Sequence, residues 1–245
     1  RSAIKPMMFN TEMVKAILEG RKTVTRRVVK PQPEGRPVPM TKDSCWPGYF
    51  AIQGTEKVVR LPYQPGDILW VRETWRIQSA HRFEADAKIE YKSGGPMGKV
   101  KFKCRSDYDR FIWNQPVGEG KWKPSIHMPK EAARIFLRVT DVRAERLQEI
   151  SSKGALFEGV PNEWTMSPVY CPHCKGDGLI GTNHPVTLGH MDVDCPCCKN
   201  AVTRFSNLWN STIKPADIPT YGWGANPYVW VIEFECCEKP EGWPC

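Results

Sequence analysis

The sequence predicts an α+β fold, a small closed or half-closed sheet with helices at its mouth. Three observations predict it. Helical signals mark Thr11–Glu19, a serine-initiated stretch within Leu147–Gly159, and Val202–Trp209. Strongly β-prone runs lie at Ile68–Trp75, Ile135–Val142 and Tyr228–Phe234. Long stretches broken by Pro and Gly separate them, giving the order helix, strand, irregular insert, strand, helix, insert, helix, strand.

Each element has a local reason. Met13, Val14, Ile17 and Leu18 form one apolar stripe, with Asn10 or Thr11 as cap and Gly20 as a left-handed end. The octet Gly20–Arg27 follows, with four cations and two threonines. It reads as a strand or tight loop, either a solvated basic edge or a site for an anionic or polar ligand. Val28–Pro65 holds seven prolines. Pro31, Pro33, Pro37 and Pro39 lack amide donors, which predicts a loop or extended arm. Ile68–Trp75 is apolar on both faces and is expected to be buried, with Arg72 and Glu73 near its end. Glu73 reads as a paired structural carboxylate or as a site-lining one.

Ile77–Pro124 is polar and irregular, with short strands expected at Ile89–Tyr91 and Lys99–Arg105. The cations of the second alternate with apolar residues. They suit a phosphate backbone or an edge protected by lysines. Trp113 and Trp122 are candidates for base stacking or for packing. Glu131–Ile135 reads as a short helix or turn, and His127 is a lone histidine that could line a site. Ser151 or Ser152 can cap the next helix, which ends at Glu158 and Gly159. Val202, Phe205, Leu208 and Trp209 share one face of another.

The chain of 245 residues carries a net charge of +8, with a pI near 9.0, which favours a polyanionic partner such as RNA or DNA. No apolar run approaches the roughly 20 residues needed to cross a bilayer, and no secretory signal pattern is read. The expectation is a soluble, cytoplasmic protein of undetermined oligomeric state. Five of the ten cysteines crowd one segment. Cys171 and Cys174 form one CxxC pair, Cys195 and Cys198 another, with twenty residues between. That spacing predicts four thiolates around one structural Zn²⁺, with Cys197, His173, His184 or His190 as possible substitutes. A redox dithiol or unpaired thiols are the alternatives.

Several blocks together resemble a known family. Phe9–Glu12, Gly20–Arg27, Gly66–Trp75, Ile135–Leu147, Ala155–Gly159 and Tyr228–Phe234 are similar, in order and spacing, to ASCH domains of the PUA-like superfamily. The match is best to the larger bacteriophage and prophage type, which has a similar Trp-x-Pro…Met-Pro stretch at Trp122–Pro129. The resemblance implies one domain over 1–245: a small PUA-like β-barrel with flanking helices. It carries long loop insertions at about 28–65 and 77–124 and a zinc-ribbon-like insert at about 165–200. The branch includes an enzyme that hydrolyses the amide of N4-acetylcytidine. By that likeness Lys22, Thr25 and Glu158 are the catalytic candidates, and Arg21, Arg26, Arg27, Glu73 and His127 the substrate-binding ones. The implied partner is a modified nucleoside or nucleic acid. The alternatives are a non-catalytic reader of RNA or modified DNA and an ASCH-type ribonuclease. One geometric condition attaches to the catalytic set. Residues three apart on a strand face opposite ways, so Lys22 and Thr25 converge only if the chain turns between them.

Overall fold

The computed structural model describes residues 3–40, 48–113, 117–118, 120–160, 179–183, 190–194 and 201–243. Among the described residues it is a mixed α+β protein with one five-stranded and three smaller sheets. The expected zinc ligands Cys171, Cys174, Cys195 and Cys198 lie outside the described residues. Among the described residues no helix is long and apolar enough to cross a membrane.

The chain forms two compact units. The first comprises residues 1–20, 63–141 and 234–245. Strand β1 (Ile4–Met8) leads into helix α1 (Thr11–Leu18). Asn10 caps α1, its side chain accepting from the Met13 amide at 2.8 Å. Val14, Ala16 and Ile17 are buried, and Gly20 leaves the helix at φ +73°. With β2 (Val24–Val28), β3 (Pro37–Pro39), β4 (Tyr49–Ile52) and β5 (Val58–Arg60) assigned in chain order, the next strand is β6 (Ile68–Arg72). It runs parallel to β1 and antiparallel to the start of β10 (Phe136–Arg146).

The predicted Ile68–Trp75 strand is broken. The ladder stops at Arg72, Glu73 turns inward, and β7 (Trp75–His81) begins a separate sheet with β8 (Asp86–Tyr91) and β9 (Gly98–Lys101). Up to Lys101 the stretch expected to be irregular is thus a meander. Its inward residues Trp75, Ile77, Ala87, Ile89, Tyr91 and Val100 are at most 4% exposed. A register shift between Ile77 and Ser79 breaks the alternation that would have revealed it. The expected Lys99–Arg105 strand ends at Lys101, and Arg105 starts helix α2 (Arg105–Ile112).

The second unit comprises residues 21–62 and 142–233. Here β2 pairs antiparallel with β13 (Tyr228–Cys237). The proline-rich stretch after β2 is not a loop. It makes the three-stranded sheet β3-β4-β5, with Phe50 and Ile52 buried and Phe50 edge-on to Trp230 at 5.2 Å. The prolines are tolerated because β3 is an edge strand. Helix α3 (Ser152–Phe157) is capped by Ser151, which accepts from the Gly154 amide. Strands β11 (Leu179–Asn183) and β12 (His190–Asp194) pair with each other. Helix α4 (Ala201–Thr212) and short α5 (Ile218–Tyr221) precede β13. Val24, Leu147, Ile150, Ala155, Phe205, Trp209, Val229 and Val231 form this unit's core. In the five-stranded sheet the order is β1-β6-β10-β13-β2.

Candidate active site

The octet that leaves α1 closes against the end of α3. Arg21 donates to the Gly159 carbonyl at 2.8 Å, and the Thr23 amide donates to the Phe157 carbonyl at 2.9 Å. Between them Lys22 bridges Glu158. Gly159 takes φ +88°, so the chain can turn away directly behind the carboxylate. This local zipper explains why Lys22 points into the unit although it precedes a strand.

Lys22 is 2% exposed and Glu158 3%. The Lys22 Nζ donates to Glu158 Oε2 at 2.6 Å, to the Val24 carbonyl at 2.7 Å and to the Glu158 carbonyl at 2.9 Å. Those acceptors match the three protons of an ammonium group. The second carboxylate oxygen, Glu158 Oε1, accepts from Arg26 at 3.1 Å. Arg26 also reaches Glu145 Oε2 at 3.4 Å, and its guanidinium lies 5.9 Å from the Phe205 ring centre. Its Nε is buried with no hydrogen-bond partner among the described residues, a cost unless an acceptor arrives.

Burial pushes the Lys22 amine below its usual 10.5. The charge and hydrogen bond of Glu158 oppose the shift, and Arg27 and Arg26 add to it. A lysine whose folded value lies below its unfolded one binds fewer protons folded than unfolded across that interval. Stability is therefore expected to rise as pH climbs through the folded value toward 10.5. Urea unfolding across the alkaline range, wild type against Lys22→Met, should show that slope in the wild type and a smaller one in the variant. Equal slopes would mean that Lys22 titrates alike in both states.

The other candidates are distributed. Thr25 is 2% exposed and pairs with Ile232. Strand alternation turns it to the face opposite Val24 and Arg26, while Glu158 lies on the Arg26 side. The chain therefore unites Lys22, Arg26 and Glu158 and sets Thr25 across the strand from them. Arg21 is exposed and Arg27 half-buried.

Glu73 and His127 belong to the first unit. His127 is exposed in a 3-10 turn over Ser125–His127. Glu73 is 1% exposed and held by Arg134 at 2.9 and 3.0 Å through two parallel bonds, with Ser93 on the same carboxylate. Arg134 also stacks 3.9 Å from the Tyr91 ring centre. Burial raises the Tyr91 phenol above its ordinary value, and it donates to the Ala132 carbonyl at 2.7 Å. This is the paired structural reading of Glu73.

Glu145 was not among the sequence candidates. It lies beyond the expected strand end at Val142, on an extension of β10 whose Arg143 and Glu145 alternate with less polar neighbours. That alternation was the available signal.

No family model, curated protein or solved structure matches the chain.

Proposed function

We propose that this chain is an ASCH-type amidohydrolase on a PUA-like small barrel, removing an acyl group from an N4-acylated cytosine or a related modified nucleobase. The observation that carries the reading is the buried Lys22–Glu158 pair with Arg26 on its second oxygen. A buried lysine held below its usual value by desolvation, in contact with a carboxylate, is a candidate for acid–base chemistry. Of the three residues named by the likeness of the motifs, Lys22 and Glu158 support the reading by their contact, and Thr25 does not.

Lys22 Nζ donates to Glu158 Oε2 along a 2.6 Å hydrogen bond. Moving that proton from Nζ to Oε2 makes a neutral amine and a carboxylic acid together, a base and an acid in one step. The amine then takes a proton from the attacking water. The new C–O bond forms at the acyl carbon, the C–N bond breaks, and Glu158 protonates the departing N4. The products are the free carboxylic acid and the unmodified amino base. Arg26, with its unpartnered Nε, is placed to receive the acyl or ring carbonyl oxygen. The position of Thr25 across the strand favours water over its hydroxyl as nucleophile.

A structural Zn²⁺ held by Cys171, Cys174, Cys195 and Cys198 is part of the same proposal. It is supported by the β11–β12 pairing, in which Leu179 lies opposite Asp194. The chain thus enters and leaves that hairpin side by side, five residues after Cys174 and one before Cys195. Four thiolates close the coordination sphere, so the ion would stabilise the insert and take no part in the reaction.

The test incubates the protein with N4-acetylcytidine, as nucleoside and within an oligonucleotide, and follows products by mass spectrometry. Lys22→Met, Glu158→Gln and Thr25→Val run beside it, with circular dichroism to confirm folding. Wild type should release the deacetylated base, Thr25→Val should retain most of that turnover, and the other two should lose about 10²–10⁴-fold. No release by folded wild type sinks the reaction. Full turnover by Lys22→Met sinks the mechanism.

A further inference from the structure

We infer that the first unit carries a docking face for single-stranded nucleic acid on the outer side of the β7-β8-β9 sheet. This inference does not rest on the hydrolase reading. The inner side of the sheet is filled by Trp75, Ile77, Ile89 and Val100. On the outer side the register places Lys88 of β8 directly opposite Lys99 of β9. Like charges at directly opposed positions destabilise a strand pair; Asp86 offsets the Lys99 charge at 2.8 Å, while Lys88 gains from any further anion laid over the face. Lys101 follows Lys99 on the same face, and all three lysines are exposed.

The carboxylates on that face do not neutralise it. Asp86 accepts from Lys99 at 2.8 Å and Glu90 from Arg76 at 2.7 Å. Lys101 lies directly opposite Asp86 in the ladder, but Arg76, Lys88, Lys99 and Lys101 outnumber the carboxylates Asp86 and Glu90, so the face keeps a net positive charge. The face also carries an aromatic ring. Lys123 bridges Trp75 antiparallel at the sheet's edge. Alternation then turns Trp122 to the outer side, where the Arg76 guanidinium lies 4.5 Å from its ring centre. Trp122 is half-buried, with part of its surface open to solvent.

Lysines two residues apart along one strand, a third across the ladder and a ring at the margin match what a single strand needs. Phosphates meet cations while a base stacks on the ring, with no demand for sequence. A duplex offers the same phosphates but no free base face. The charge complementarity thus selects a polyanion, and the ring selects an unpaired one.

The experiment measures fluorescence anisotropy of labelled oligouridine, oligothymidine and a duplex of equal length against the full chain over a salt series. Anionic phospholipid vesicles serve as a competing polyanionic surface. The single strands should bind more tightly than the duplex. The Lys88→Glu/Lys101→Glu double variant should weaken them by about tenfold or more, and should flatten the log–log salt slope by about 1.4 for two lost phosphate contacts. Trp122→Ala should cut affinity about fivefold or more and leave the slope unchanged. All substituted positions lie at or near the surface, and circular dichroism checks that the variants fold. Equal binding by the lysine variant, preference for duplex, or full displacement by vesicles overturns the proposal.

Discussion

Glu158→Ala is expected to destabilise the protein by about 3–5 kcal/mol, the cost of leaving a buried charge without its partner. Both side chains of the pair are at most 3% exposed, so solvent cannot take over the role of the carboxylate. Removing it leaves Lys22 without its carboxylate and Arg26 with only Glu145 at 3.4 Å. Urea unfolding would measure the loss. A cost below about 1 kcal/mol would place the pair among exposed ion pairs of little consequence. The companion variant Lys22→Met/Glu158→Leu removes both charges and fills similar volume. It is expected to be near neutral or more stable than wild type. A stable double variant without turnover separates a chemical duty for the pair from a merely architectural one, which no single substitution can do.

Arg134→Ala should cost a comparable amount in the first unit, about 3–5 kcal/mol, by orphaning Glu73. Its guanidinium also donates to the carbonyls of Gly94 and Pro96 at 2.8 and 3.0 Å, so it fastens the connection between β8 and β9 as well. Hydrogen exchange should therefore show lost protection around residues 92–97. Arg134→Lys is expected to recover less than half of the stability, because an ammonium cannot make two parallel bonds or stack flat on Tyr91. Full recovery by lysine would show that charge alone matters there.

The two carboxylates illustrate what sequence could and could not reveal. Each sits at the end of a regular element. The chain offers no local sign that one meets an arginine 61 residues on and the other a lysine 136 residues back. Only likeness to a family singled out Glu158, and Glu73 was left open between two roles. Elements with strong periodicity and good caps were legible: α1 with Asn10, α3 with Ser151, the apolar face of α4, and β13. Strand β1 was missed because its five residues include Lys5 and Pro6 and only one is buried. It exists because β6 offers a parallel edge. Of the meander, parts of β8 and β9 were legible at Ile89–Tyr91 and Lys99–Arg105; β7 and the pairing were not, because the register shifts between Ile77 and Ser79. The side of β2 that Thr25 occupies was legible in principle from alternation. That Lys22 curls back onto the Val24 carbonyl was not, because it depends on α3 arriving beside it.

The prolines of β3 have a consequence for solubility. Gln53 donates to the Arg36 carbonyl and Met40 to the Tyr49 carbonyl, so residues 36, 38 and 40 turn their polar groups toward β4. Residues 37 and 39 therefore turn theirs away from the sheet, and both are prolines. The free margin presents no amide hydrogens at those positions, and a second chain seeking to extend the sheet there finds no donors at either step. The same residues that argued against a strand in this stretch guard the strand against aggregation.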